Sequence, residues 1–114
     1  KETPVNAQYE ERGGVLIVMP SERLDTGSAP AVEQEVMLRI EAGASKIVFD
    51  FEHTAYVSSA GLRILLKVAK LLNRSGAGVA VCRANSHVRE VLELSGFVKV
   101  FKVAKTVNKA IAAL

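Results

Sequence analysis

The chain has 114 residues, of which 49% are hydrophobic and 24% charged, a composition that supports one globular domain over residues 1–114 with a real core and leaves no room for a two-domain enzyme. Its formal charge of +3 and 5% aromatic content, with no Trp, give neither the basic footprint nor the stacking rings of a nucleic-acid binder. The polar start from Lys1 to Arg12 lacks a signal-peptide core and no apolar run reaches the roughly 18 residues of a membrane span, so a cytoplasmic protein is expected; Cys82 alone cannot form an internal disulfide, and with His53 and His87 it makes a poor metal set.

In chain order, Gln8 to Arg12 reads as a weak strand, Gly13-Gly14 as a turn and Val15 to Met19 as a short buried strand, which together predict a hairpin. Pro20 to Thr26 reads as a loop. Ser28 then caps a helix with Pro30 in its first turn, and Val32, Val36 and Ile40 recur at helical spacing up to Gly43. Lys46 to Phe51 returns to strand character. Ser58 or Ser59 opens a second helix that runs to about Arg74 and stops before Ser75-Gly76.

Gly78 to Cys82 is again a short apolar strand, and Asn85 or Ser86 caps a third helix with Val88, Val91 and Leu92 on its core face, ended by Gly96. Val98 to Phe101 reads as a last strand and Thr106 to Leu114 as a last helix. Strands alternating with helices after an initial hairpin predict an α/β fold whose mixed sheet has four or five strands.

The second helix is the most informative element. At 100° per residue, Leu62, Leu65, Leu66, Ala69 and Leu72 form its core side, while Arg63, Lys67, Lys70 and Arg74 fall on one narrow stripe. Ile64, Val68 and Leu71 lie on the flank beyond that stripe, which widens the apolar arc past what packing on one sheet face requires. Two readings follow. Either a neighbouring helix covers the flank and the cations are a solvated face, or the flank and its basic rim are a surface on which a partner docks.

Chemistry is sparse. Ser58 and Ser59 sit between a loop and a helix start, where unpaired N–H groups and a positive dipole end accept a capping oxygen or an anion. Capping alone would account for one of them. A hydrolase elbow needs a glycine where Val57 stands, no nucleophile–base–orienter set can be assembled, and no phosphate-cradling glycine motif occurs. No catalytic residue, metal or cofactor is expected.

The string Ile47-Val48-Phe49-Asp50 followed by Tyr56-Val57-Ser58-Ser59-Ala60-Gly61-Leu62-Arg63 resembles the STAS domain of bacterial anti-sigma factor antagonists. The resemblance extends upstream to Leu24-Asp25 with Ala29, and downstream through Val88-Arg89-Glu90-Val91-Leu92 to Ser95-Gly96-Phe97. It implies a single STAS-like α/β domain with helices mainly on one face of the sheet and no enzymatic activity. When Gly61-Leu62 is set on the family's Asp-Ser-Ser/Thr-Gly-Leu motif, Ser59 falls on the phosphoacceptor, Ser58 on the preceding Asp and Ala60 on the following Ser or Thr. The loop Pro20-Ser21-Glu22-Arg23 also lacks the glycine usual before the Leu-Asp pair.

By resemblance, the unphosphorylated chain binds an anti-sigma factor that is itself a serine kinase of the histidine-kinase-like ATPase type. Phosphorylation of Ser59, with Ser58 as the alternative acceptor, ends the complex, and a serine phosphatase restores it. Asp25, Ser58, Ser59, Arg63, Ile64, Lys67, Val68 and Leu71 are the expected partner-binding residues. A STAS subunit of a lipid or anion transport complex that is never phosphorylated, and a ligand-sensing STAS module, are the competing expectations.

Overall fold

The structure is a computed structural model that describes residues 6–74, 78–96 and 101–114. Strands β1 (Ala7–Arg12) and β2 (Val15–Pro20) form the expected hairpin, with Arg12 opposite Val15. Gly13 and Gly14 between them have φ of 59° and 81°. A two-residue hairpin whose twist matches its strands needs left-handed backbone at both positions, which glycine supplies without a steric cost.

Residues expected as one loop contain a strand. Arg23–Leu24 forms β3, and it pairs in parallel with Tyr56–Val57, the fifth strand of the chain, in a two-stranded ribbon apart from the main sheet. Between them lie helix α1 (Ala29–Glu41) and strand β4 (Lys46–Asp50), so Tyr56–Val57 is β5. Then come α2 (Ser59–Arg74), β6 (Gly78–Cys82), α3 (Ser86–Leu94), β7 (Lys102–Ala104) and α4 (Val107–Ala112). The last strand thus falls after the expected position; of the segment expected to form it, residues 98–100 lie outside the described residues, as does the helix-ending Ser75-Gly76.

The main sheet has strand order β1-β2-β4-β6-β7, antiparallel between β1 and β2 and parallel elsewhere. Side chains alternate across each strand, so the unbroken apolar runs of β2, β4 and β6 supply two cores. Leu16, Val18, Ile47, Phe49, Val79 and Val81 face a core shared with Val32 and Val36 of α1, Leu65 and Ala69 of α2, and Val88 and Leu92 of α3. Val15, Ile17, Val48, Ala80 and Cys82 face a smaller one closed by Ala110 of α4. The α/β class, the five-stranded mixed sheet and the placing of helices mainly on one face therefore agree with the sequence reading.

Capping follows the sequence at α3, is found also at α4, and departs from the sequence at α1. The side chain of Asn85 accepts from Val88 N–H at 2.7 Å and that of Thr106 from Lys109 N–H at 3.1 Å, each satisfying an orphan donor of its helix. Ser28 stands at the N-cap of α1 without a cap bond. Its hydroxyl instead donates to the Arg23 carbonyl at 2.7 Å and accepts from Asp25 N–H at 3.1 Å, which ties the start of α1 to β3.

No described helix is long and apolar enough to cross a membrane.

Candidate functional site

The β3–β5 ribbon brings the Leu-Asp pair and the serine pair together. Ser58 follows β5 directly, and its N–H donates to the Leu24 carbonyl at 2.9 Å. Its own carbonyl accepts from Leu62 N–H at 2.9 Å, the first turn of α2, while its hydroxyl accepts from Gly61 N–H at 3.3 Å. Ser58 is therefore the N-cap of α2, half-buried and engaged. Ser59 is the first helical residue, exposed, and its hydroxyl makes no hydrogen bond to any described residue. One serine caps and the other is presented to solvent.

This geometry gives the departure at position 58 a physical sense. An Asp or a Ser can each cap a helix, so Ser58 can fill, without the charge, the structural place of the Asp that the resemblance implies at this position. With no acidic residue in the first turn of α2, the positive helix end around Ser59 is uncompensated from within its own helix.

Asp25 is held just beside this point. Its carboxylate accepts from Arg23 Nε at 3.1 Å, from Gly27 N–H at 3.0 Å and from Ser28 N–H at 3.3 Å. The hydrogen bond from Arg23 holds the carboxyl below the usual aspartate range; desolvation, next in effect, opposes it, and the hydrogen bonds from the Gly27 and Ser28 backbone add to the lowering.

Along α2 the residues separate into two groups. Arg63, Lys67 and Lys70 are exposed, and Leu71 is 39% exposed. Lys67 reaches across to α1 and pairs with Glu33, whereas Arg63 has no partner among the described residues. Arg74 ends the helix and its side chain lies outside the described residues. Ile64 and Val68, named as partner-binding residues on the docking reading of the flank, are only 5% and 1% exposed and belong to the main core, as the alternative reading of a flank covered by a neighbouring helix has it. The correction has a simple cause: α2 packs on the sheet and also on α1, so a wide apolar arc is used by two neighbours within the domain.

A group of residues that sequence spacing did not single out adjoins the serines. The Arg23 guanidinium lies over the Tyr56 ring, 4.5 Å from its centroid, and Tyr56 stacks on His87 of α3 with centroids 5.9 Å apart. Asn85 anchors this end of α3 to the loop between β4 and β5, its side-chain amide donating to the Ala55 carbonyl at 3.4 Å. No periodic signal could reveal the column, because its members come from three elements and two of those are two-residue strands.

Asp50, by contrast, points away into structure. It is 1% exposed and takes a two-pronged contact from Arg83, Nε to Oδ1 at 3.0 Å and Nη2 to Oδ2 at 2.7 Å. Burial, with the Asp50 carboxylate next in effect, pushes the neighbouring Cys82 thiol up to about 12. Among the described residues neither serine hydroxyl meets an imidazole, and no cluster of His, Cys, Asp and Glu could hold a metal ion.

Comparison with known proteins fits this geometry. A family profile described as the STAS domain matches residues 6–110. A Bordetella bronchiseptica protein named provisionally as the anti-sigma factor antagonist BtrV is 37% identical over 100 residues, covering 88% of this chain and 86% of the relative. The anti-sigma F factor antagonist of Paenibacillus polymyxa is 31% identical over 97 residues, covering 84% and 83%. The crystal structure of an anti-sigma factor antagonist from Mycobacterium paratuberculosis superposes with a TM-score of 0.85 at 27% identity, covering 94% of this chain and 91% of that one.

Proposed function

The chain belongs to the STAS domain family, and we propose that it is an anti-sigma factor antagonist switched by phosphorylation of Ser59. Unmodified, it binds an anti-sigma factor that is also a serine kinase of the histidine-kinase-like ATPase type, and so frees a sigma factor. That kinase phosphorylates Ser59 and the complex parts; a serine phosphatase resets the switch. Its place of action is the cytoplasm, where ATP and the transcription machinery are.

The names of the relatives support antagonism. The switch rests on one observation, the exposed Ser59 hydroxyl, unengaged among the described residues, at the first position of α2 beside a Ser58 already committed as cap. A phosphate there adds about −1.5 to −2 charge at pH 7. The free domain tolerates it, because a helix N-terminus without acidic neighbours favours an anion. Within a complex the same dianion must be stripped of water against the partner, close to the Asp25 carboxylate, and that desolvation opposes binding. The fold need not change for affinity to collapse.

The domain itself carries out no chemistry in this reading. Incubation with ATP and each kinase-type anti-sigma factor of the same genome, followed by intact mass, tests it. One of them is expected to add a single phosphate to the wild-type chain and none to Ser59→Ala; equal phosphorylation of Ser59→Ala, with loss in Ser58→Ala, would move the acceptor by one residue, and no phosphorylation by any of them would overturn the switch.

A further inference from the structure

Arg23, Tyr56 and His87 form one column on the outer side of the β3–β5 ribbon, contributed by β3, β5 and the first turn of α3. Two contacts fix the Arg23 guanidinium. The Tyr56 ring lies beneath it at 4.5 Å, and Asp25 Oδ2 takes its Nε at 3.1 Å. Both Nη groups are left without a hydrogen-bond partner among the described residues, on a side chain that is 62% exposed. Such a guanidinium has little rotamer freedom left to lose and presents its end-on fork outward.

The surrounding charge is positive. Neither α2 nor α3 has an acidic residue in its first turn, and the column stands between these two helix ends, Ser58-Ser59 on one side and Asn85-Ser86 on the other. Arg63, one turn along α2, is exposed and has no partner among the described residues. Of the nearby carboxylates, Asp25 is engaged by Arg23 and by backbone N–H groups; Glu22 meets the column through its backbone carbonyl, which accepts from Tyr56 N–H at 3.2 Å, and no carboxylate of Glu22, Glu90 or Glu93 pairs with Arg23 or His87 among the described residues.

We propose that this column is the second half of the docking surface and receives an acidic segment of the partner, the Nη pair of Arg23 taking one of its carboxylates. The inference rests on the partner named in the previous subsection and adds the chemistry by which it is recognised. Structure alone does not call for the column: the ribbon is already held by backbone pairing of Arg23 with Tyr56 and of Leu24 with Val57, by the fully buried Leu24 and by the Ser28 hydroxyl on the Arg23 carbonyl. Preorganised Arg and Tyr side chains are what the strongest interface positions use. The switch gains a second lever as well, because a dianion on Ser59 weakens the positive field that attracts the acidic segment.

Calorimetric titration of the purified kinase that binds the wild-type chain tests this, at about 50 mM and about 300 mM salt, where screening differs severalfold. Arg23→Gln is expected to weaken binding about tenfold or more at the lower salt and by less at the higher, with Arg23→Lys intermediate because it keeps the charge without the fork; circular dichroism confirms that each variant is folded. His87→Ala, on an exposed residue, gives a second and independent reading of the column. Wild-type affinity for both Arg23→Gln and His87→Ala, with binding lost in Ser59→Glu, overturns the column and leaves the switch standing. Weakened binding of Arg23→Gln with Ser59→Glu unaffected does the reverse. A loss equal at both salts overturns the acidic character of the segment, and a wild-type chain that binds no kinase overturns column and switch together.

Discussion

Gly61 packs its bare α-carbon on Leu24: a β-carbon built at Gly61 would lie 2.6 Å from the Leu24 carbonyl oxygen and 2.9 Å from its Cγ. The same carbonyl accepts the Ser58 N–H. One close approach of helix to strand therefore sets where the Leu-Asp loop and the serine pair stand relative to each other.

Gly61→Ala should accordingly destabilise the domain although alanine is the better helix former. The nearest obstacle, the Leu24 carbonyl oxygen, is backbone and cannot rotate away, so the cost expected is that of overpacking, about 1–3 kcal/mol. For a domain of this size each kcal/mol lowers the melting temperature by roughly 4–8 °C, readily seen by circular dichroism. A Gly61→Ala variant as stable as wild type would mean that α2 and β3 do not meet as described.

The two serines should separate in stability as they do in geometry. Ser58→Ala removes a cap and is expected to cost about 0.5–2 kcal/mol, whereas Ser59→Ala, on an exposed hydroxyl with no hydrogen bond among the described residues, should stay within about 0.5 kcal/mol of wild type. Ser58→Asp keeps a capping oxygen and adds a charge the helix dipole favours, so it should be no less stable than wild type. Urea denaturation of the three variants side by side measures all of this without any partner.

How much of this was legible beforehand differs between fold and site. Gly13-Gly14 between two strand patterns, and apolar runs such as Val15 to Met19, carry their own local signal, and the hairpin and parallel core strands followed from them. Arg23–Leu24 and Tyr56–Val57 carry none, since two residues show no period. Ile64 and Val68 failed for another reason: helical periodicity reports that a face is apolar, and cannot report whether solvent, a partner or α1 lies against it. Ser59 was visible as a type in a position, but its separation from Ser58 needed the capping bond.

Asp25 and Cys82 should shape opposite limbs of the stability curve. Because the native Asp25 carboxyl lies below its ordinary value, chiefly through the Arg23 hydrogen bond, it stabilises the fold above the unfolded carboxylate pKa of about 3.9 and loses that effect as pH falls through the native value. Cys82 is raised to about 12, so its contribution is complete below the unfolded thiol pKa of about 8.5 and fades as pH rises toward the native value. Asp25→Asn should flatten the acid limb and Cys82→Ala the alkaline one in denaturation series across pH. At neutral pH the native thiol should resist alkylation until the protein is unfolded.

Arg83→Leu should be among the most destabilising changes at any partly exposed position. It leaves the Asp50 carboxylate, 1% exposed, without its two-pronged counter-ion, and breaking a buried pair in this way costs about 3–5 kcal/mol. The lower end is expected here, since Arg83 itself is about a third open to solvent. Asp50→Asn, which removes the charge along with the pairing, should cost less. Reversal of that order would mean that the pair is less closed to water than its distances indicate.

Partner binding should rank the α2 residues by exposure and not by hydrophobicity. To carry the chain from nearly all bound to nearly all free, modification of Ser59 must weaken the complex about 10⁴-fold, or roughly 5.5 kcal/mol. A rim ion pair contributes at most about 1 kcal/mol, so losing a contact to Arg63 or Lys70 cannot account for the switch; most of the effect must come from desolvating charge at Ser59 inside the interface. Ser59→Glu should therefore weaken kinase binding most, followed by Arg63→Ala and Leu71→Asp on the exposed side, with Lys70→Ala weaker still. Lys67→Ala should be mildest in binding and should also cost a little stability, because its ammonium is paired with Glu33 across the α1–α2 contact. Val68→Asp must be read differently: at 1% exposure it buries an unpaired carboxylate and should unfold the domain before it informs on docking. Calorimetry on the folded variants gives the ranking. If Leu71→Asp and Arg63→Ala bind as wild type does while Ser59→Glu does not, the interface ends at the first turn of α2, and the rest of the basic stripe is a solvated face.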